Sequence, residues 1–272
     1  MRIKLHVGPH KTGTTSIQRY LLDNYGAINP HAELWYPAPN VDGPGHARLA
    51  YGLLKGSMEL ADIVKMAGSA DVRCLILSSE EFSLIDEKAA RCFVEAVGSY
   101  QVDLIVTLSS VLRRIASMWQ ERIKHGFYDK LGESLDRILE RPGLNPNFVS
   151  HLSELINPNS VSIVISHSRD PRHRLLINAL SAFGLPVPEN MESLEIGENK
   201  GLGLIETDIL AYVNKVLYQN KKTIDKQDRR RLRGLINSTI ESREWKNSCP
   251  QIGVEVPAKY ILIPSKVKPH KL

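Results

Sequence analysis

A chain of 272 residues with 42% hydrophobic and 24% charged residues has the make-up of an ordinary globular protein, long enough for one large core. No run approaches the ~20 apolar residues that span a bilayer, and the opening MRIKLHVGPHK lacks the roughly 7–15 apolar residues of an export signal, so a cytoplasmic protein without membrane insertion is expected. The net charge of +5 is too modest to imply nucleic acid but suits an anionic ligand, and the scattered Cys74, Cys92 and Cys249, odd in number and without metal spacing, read as reduced thiols.

Short apolar runs alternate with helical patterns along the chain, which predicts a three-layer α/β fold with a mostly parallel sheet between helices. The first run, 3–7, reads as a strand; a glycine-containing loop follows, then a helix over about 14–24. A strand at 33–36 ends at Pro37, and a Pro- and Gly-rich loop over 37–45 leads to a helix carrying His46, Leu49, Leu53 and Leu54. The continuous apolar run 72–77 fits a strand covered on both faces. A helix over 86–97, a strand at 103–108, a helix to about His125 and another at 131–139 come next. The run 161–165 is the last clear strand, and Pro171 opens the helix after it. From Leu204 two helices are expected, then a Pro-containing tail from about 249 with a short strand at 260–263. The whole, 1–272, reads as one domain with a helical C-terminal part. Basic residues from Lys221 to Arg233 share a stretch with Leu232, Leu235 and Ile236 at helical spacing, the pattern of an amphipathic helix with a solvated basic face or a docking face for a polyanion.

The segment KLHVGPHKTGTTSIQRYL, 4–21, carries the chemistry. A strand runs into Gly8, a short loop reaches Gly13, and Thr14, Thr15 and Ser16 open a helix. Such a junction presents backbone N–H groups and the positive end of a helix dipole to an anion. Lys11 adds a point charge, and the hydroxyls add donors. An ATP- or GTP-binding Walker loop, G-x-x-x-x-G-K-[ST], places lysine directly after the second glycine. Here Thr14 stands in that place and the lysine is Lys11, two residues before Gly13.

His10-Lys11-Thr12-Gly13-Thr14-Thr15 resembles the 5′-phosphosulfate loop of sulfotransferases, P-K-S/T-G-T-T, and the wider string HVGPHKTGTTSIQ is similar to bacterial members of that family. The resemblance implies a P-loop nucleoside triphosphate hydrolase-like fold, 3′-phosphoadenosine 5′-phosphosulfate as co-substrate, adenosine 3′,5′-bisphosphate as product, and no metal. It implies that Lys11 stabilises charge on the leaving phosphate and that His10, in place of the family's proline, contacts the donor sulfonate. The family's R-x-P-x-x-R-x-x-S segment, which grips the 3′-phosphate, falls on Ser109 to Ser117: Arg114 matches the inner arginine and Ser117 the serine, while Ser109 replaces the outer arginine and the proline is missing. Arg113 and Arg114 both lie within one turn of Ser117, so either could supply the charge. Lys200-Gly201, within ENKGLG, resembles the basic-plus-glycine loop that closes over the 3′-phosphate.

Transfer to a hydroxyl needs a base. Glu80, after the strand 72–77, is similar in position to the glutamate base of carbohydrate sulfotransferases; Glu81 is its neighbour, and His46 is a second candidate, reaching in from the acceptor side. The acceptor, a small molecule or glycan, is expected on the loops at 37–56 and 126–146. Two other readings stand beside this one: an ATP-dependent P-loop kinase, and a non-catalytic nucleotide-binding protein on the same fold.

Overall fold

The computed structural model describes residues 1–27, 32–37, 43–167, 172–189 and 204–220, with 227, 228, 231, 234 and 236. The chain divides into two compact units, 1–114 with 140–199, and 115–139 with 200–272. The sequence patterns suggested one domain; the contacts divide it, at a boundary between Arg114 and Ile115 inside a helix.

The first unit is built on a parallel sheet of strands β1 (Arg2–Val7), β2 (Cys74–Ser79), β3 (Gln101–Ser109) and β4 (Ser160–Ser166), in the order β2-β1-β3-β4. The strand expected at 33–36 contracts to a single parallel bridge, Trp35 to Leu75, at the free side of β2. Trp35 N–H donates to the Cys74 carbonyl and Ile76 N–H to the Trp35 carbonyl, each at 2.9 Å. Predicted strand 72–77 is realised two residues later, as Cys74–Ser79, because Val72 N–H is bonded to the Ala67 carbonyl in the turn that leaves the preceding helix.

Side chains alternate across a strand, and the sheet uses that alternation to build two cores. Ile3, Leu5 and Val7 of β1, Leu75 and Leu77 of β2, and Val102, Leu104 and Val106 of β3 point one way. They are covered by α2 (Ala47–Leu54), α3 (Glu59–Ser69), α4 (Glu87–Val97) and α7 (Phe148–Ile156). Ile76, Ile105 and Val164 point the other way, against α1 (Thr14–Tyr25) and α8 (Arg172–Ala182) through Ile17, Leu21, Leu176 and Leu180. This is the three-layer α/β arrangement expected from the sequence. Burying each such Leu, Ile or Phe is worth about 1.5–3 kcal/mol. Helix α4 starts on the N-cap Asp86, whose carboxylate accepts from Ala89 N–H at 2.8 Å.

The second unit contains α6 (Leu131–Leu139) and α9 (Leu204–Gln219), with the part of α5 (Val111–Lys124) that follows Arg114. Buried Asn214 on α9 donates to the carbonyls of Ile123 and Phe127, both at 2.8 Å, and the Arg122 guanidinium lies 4.1 Å from the Phe127 ring centre. The Pro-containing tail, its short strand at 260–263, Cys249 and most of the basic run lie outside the described residues; residues 227, 228, 231, 234 and 236 of that region are helical.

Candidate active site

Parallel register fixes what meets at the carboxyl edge of the sheet. Val7 pairs with Ser79 on one side and Val106 on the other, so Gly8 follows β1 where Glu80 follows β2, with Ser109 ending β3 nearby. In open α/β sheets this edge is where ligands bind.

The turn 8–13 has an unusual backbone. Gly13 is left-handed, φ 91°, and a Cβ there would sit 2.7 Å from Leu175 Cδ2. Lys11, which has a Cβ, is also left-handed, φ 69°. A non-glycine residue there is held against roughly 1–3 kcal/mol of strain, a pattern that concentrates at functional sites. Gly8 is pressed against the first turn of α1: a Cβ would fall 1.9 Å from Thr14 Cγ2. Thr12, buried, gives its hydroxyl to the Pro9 carbonyl at 2.9 Å and thereby closes the turn. Thr15 is exposed and Ser16 half-buried in the first turn of α1.

Thr14 reaches across to the neighbouring strand end and donates its hydroxyl to the Glu80 carboxylate. His10 stands with Nε2 3.4 Å from Glu81 Oε1. The structure therefore brings Lys11, Gly13, Thr14, Glu80, His10 and Ser109 to one edge. Ser109 turns its hydroxyl to the Lys11 carbonyl at 3.4 Å.

Two expected residues take other positions. His46 was read as reaching over the site from the acceptor side, but its ring is buried and both nitrogens are engaged: Nδ1 accepts from Ser78 N–H at 3.0 Å and Nε2 donates to the Pro37 carbonyl at 2.7 Å. Burial lowers its pKa to about 4, so it stays a neutral clasp between α2 and β2. Arg114 was read as a grip for the 3′-phosphate, but it is 2% exposed, and its guanidinium donates to the carbonyls of His10 at 3.3 Å and Gly143 at 2.6 Å. It braces the turn 8–13 from behind, and desolvation lowers its pKa to about 10. Arg113, next to it, is exposed. Ser117 is half-buried on α5, in the second unit. Lys200 and Gly201 lie outside the described residues.

One residue of the site's support was missed. His6 on β1 is fully buried, its Nδ1 2.7 Å from Ser78 Oγ and its Nε2 2.8 Å from Thr107 Oγ1, which ties β1 to both neighbours just beneath the turn. Gln18 of α1 also donates to Ser78 Oγ, at 3.2 Å. Desolvation lowers the His6 pKa to about 3. A signal existed in the sequence: a histidine inside an otherwise apolar strand needs partners, and Ser78 and Thr107 are the polar residues near the ends of the two apolar runs.

No protein-family model and no curated protein matches the chain. Among solved structures it is similar to an unliganded sugar kinase from Janibacter sp. HTCC2649, at 16% identity and a TM-score of 0.31, over 68% of this chain and 95% of that one.

Proposed function

We propose that the chain transfers a sulfonate group from 3′-phosphoadenosine 5′-phosphosulfate to an acceptor hydroxyl or amine. The observation that carries this reading is the turn 8–13, with left-handed Lys11 and Gly13 in a loop whose only lysine lies before the second glycine, beside a strand-end carboxylate. The reading is supported by the place of the turn, at the N-cap of α1, where backbone N–H groups and the helix dipole favour an anion such as the 5′-phosphosulfate. Among the described residues, exposed Arg113 offers a cation for the 3′-phosphate, because Arg114 is turned inward.

The bound donor supplies the sulfonate, whose bond to the 5′-phosphate oxygen breaks as a new bond forms from sulfur to the acceptor. Glu80 takes the proton that the acceptor oxygen or nitrogen loses, and Thr14 orients the carboxylate by hydrogen bonding to it. Lys11 meets the charge that develops on the leaving phosphate oxygen, a stabilisation greater in the transition state than in the ground state. Arg114, Thr12 and His6 hold the turn in shape.

A second reading is favoured by one contact. In P-loop phosphotransferases the loop Ser/Thr and a strand-end carboxylate together hold Mg²⁺, and Thr14 with Glu80 is that kind of pair. Thermal unfolding with added ligand separates the two. Adenosine 3′,5′-bisphosphate at a hundred times its Kd stabilises the protein by about 2.7 kcal/mol, while ATP with Mg²⁺ leaves the midpoint unmoved. The reverse pattern assigns a phosphotransferase and overturns the sulfonate reading; a midpoint unmoved by either ligand assigns a degenerate site.

A further inference from the structure

Helix α2 carries a groove of about 460 Å³ lined by Ala47, Arg48, Tyr51, Gly52, Lys55 and Glu59. Its volume lies within the range of small-molecule sites. Its polar groups are of both signs: the Arg48 guanidinium stands 3.3 Å from the Glu59 carboxylate, and Lys55 adds a second cation. Tyr51 is 45% exposed, an aromatic face left open among charges.

Helix α2 lies next to the carboxyl end of β2. It packs on the 3-10 turn Glu81–Leu84, and the Tyr51 phenol lies near enough to the Glu81 carboxylate to feel its charge. Glu81 lies in turn 3.4 Å from His10 of the turn 8–13, and its neighbour Glu80 holds Thr14. The groove is held in place, since His46 at the head of α2 is clasped to Ser78 and the His46 N–H donates to the Ser78 carbonyl at 2.7 Å. Burial and the Glu81 charge both raise the Tyr51 pKa, which keeps its phenol protonated as a donor.

Resting on the sulfonate-transfer reading, we propose that this groove is the acceptor site and that it takes a sugar bearing a negative charge. The sugar ring lies on the face of Tyr51, its anionic substituent meets Arg48 and Lys55, and its hydroxyls meet Glu59. A planar aromatic beside one carboxylate and two cations matches a polyhydroxylated anion: the ring buries its C–H face, the carboxylate accepts from hydroxyls, and the cations supply charge-assisted bonds.

The test is an NMR titration of the ¹⁵N-labelled full chain with glucuronate and, separately, with glucose, on the wild type and on Arg48→Ala/Lys55→Ala. Both substituted residues are exposed, so folding should survive, and adenosine 3′,5′-bisphosphate affinity is measured on the same samples. Glucuronate should shift amides of 47–59 and bind at least tenfold tighter than glucose. The double variant should lose that tenfold preference and keep its bisphosphate affinity. Unmoved α2 amides, equal affinity for the two sugars, or unchanged glucuronate binding in the variant each overturn the proposal. Failure of the wild type to bind bisphosphate, with glucuronate still seated on α2, overturns the donor assignment and retains the groove as an anionic-sugar site.

Discussion

Replacing Gly8 by alanine tests the turn 8–13 at its tightest point. The new Cβ would fall 1.9 Å from Thr14 Cγ2 and 3.0 Å from Thr12 Oγ1. Carbon atoms in contact sit about 3.5–4.0 Å apart, so the methyl pair is short by roughly 1.6 Å or more. Overpacking of this kind costs about 1–3 kcal/mol, and at ~2–4 °C per kcal/mol the Tm should fall by about 2–12 °C. The cheapest relief is rotation of Thr14, which carries its hydroxyl away from Glu80. Bisphosphate affinity should therefore fall with stability, by about tenfold or more. Thr14→Ser removes the Cγ2 methyl and keeps the hydroxyl, so in Gly8→Ala/Thr14→Ser the alanine methyl occupies the vacated space. Calorimetric Tm and bisphosphate titration on the four proteins of this cycle give the answer. The double variant should recover most of both losses. Additive losses, within about 0.5 kcal/mol of the sum of the single changes, would refute the claim that the Gly8–Thr14 contact shapes the turn.

Lys11→Ala should lower kcat by about 10²-fold or more while changing bisphosphate affinity far less, because its charge acts on the leaving oxygen; steady-state kinetics beside calorimetric titration measures both. Glu80→Gln should abolish turnover with bisphosphate binding retained, and full activity would remove Glu80 as the base. His6 and His46 are held neutral, with pKa values lowered to about 3 and about 4 from 6.5. The unfolded chain therefore binds more protons below pH 6.5. Stability is fully present above that pH and is lost as the pH falls toward 4, by up to about 1.4 kcal/mol per pH unit for each ring. Urea unfolding between pH 7.5 and 4.5 measures the slope, and a flat profile would contradict the burial of these rings. Turnover should persist in excess chelator; its complete loss would favour the phosphotransferase reading.

Local pattern carried most of the first unit's architecture. Strands β1 and β4, helix α1 and the bounds of α6 follow from apolar runs and periodicity, which depend on residues close in sequence. Helices α3 and α7 did not stand out. At eleven and nine residues they are marginal alone, and they hold because Leu60, Val64, Phe148 and Leu152 find the sheet. The strand expected at 33–36 had the right residues, but only Trp35 meets a partner. At the site, Lys11, Gly13 and Thr14 were legible because strand, turn and helix lie in one continuous segment. The partners of His6 depend on β1 lying between β2 and β3, and Arg114 and His46 meet His10 and Ser78, 104 and 32 residues away, pairings that no short pattern encodes. Hence a buried brace read as a ligand arginine, and a neutral clasp as a base.

A crystal structure with adenosine 3′,5′-bisphosphate bound decides the central claim. The account places the 5′-phosphate in the turn 8–13, on backbone N–H groups at the start of α1, with the Lys11 ammonium and the Glu80 carboxylate on the side open to an acceptor. Bisphosphate bound elsewhere, or the Lys11 side chain directed away from the 5′-phosphate, would contradict it.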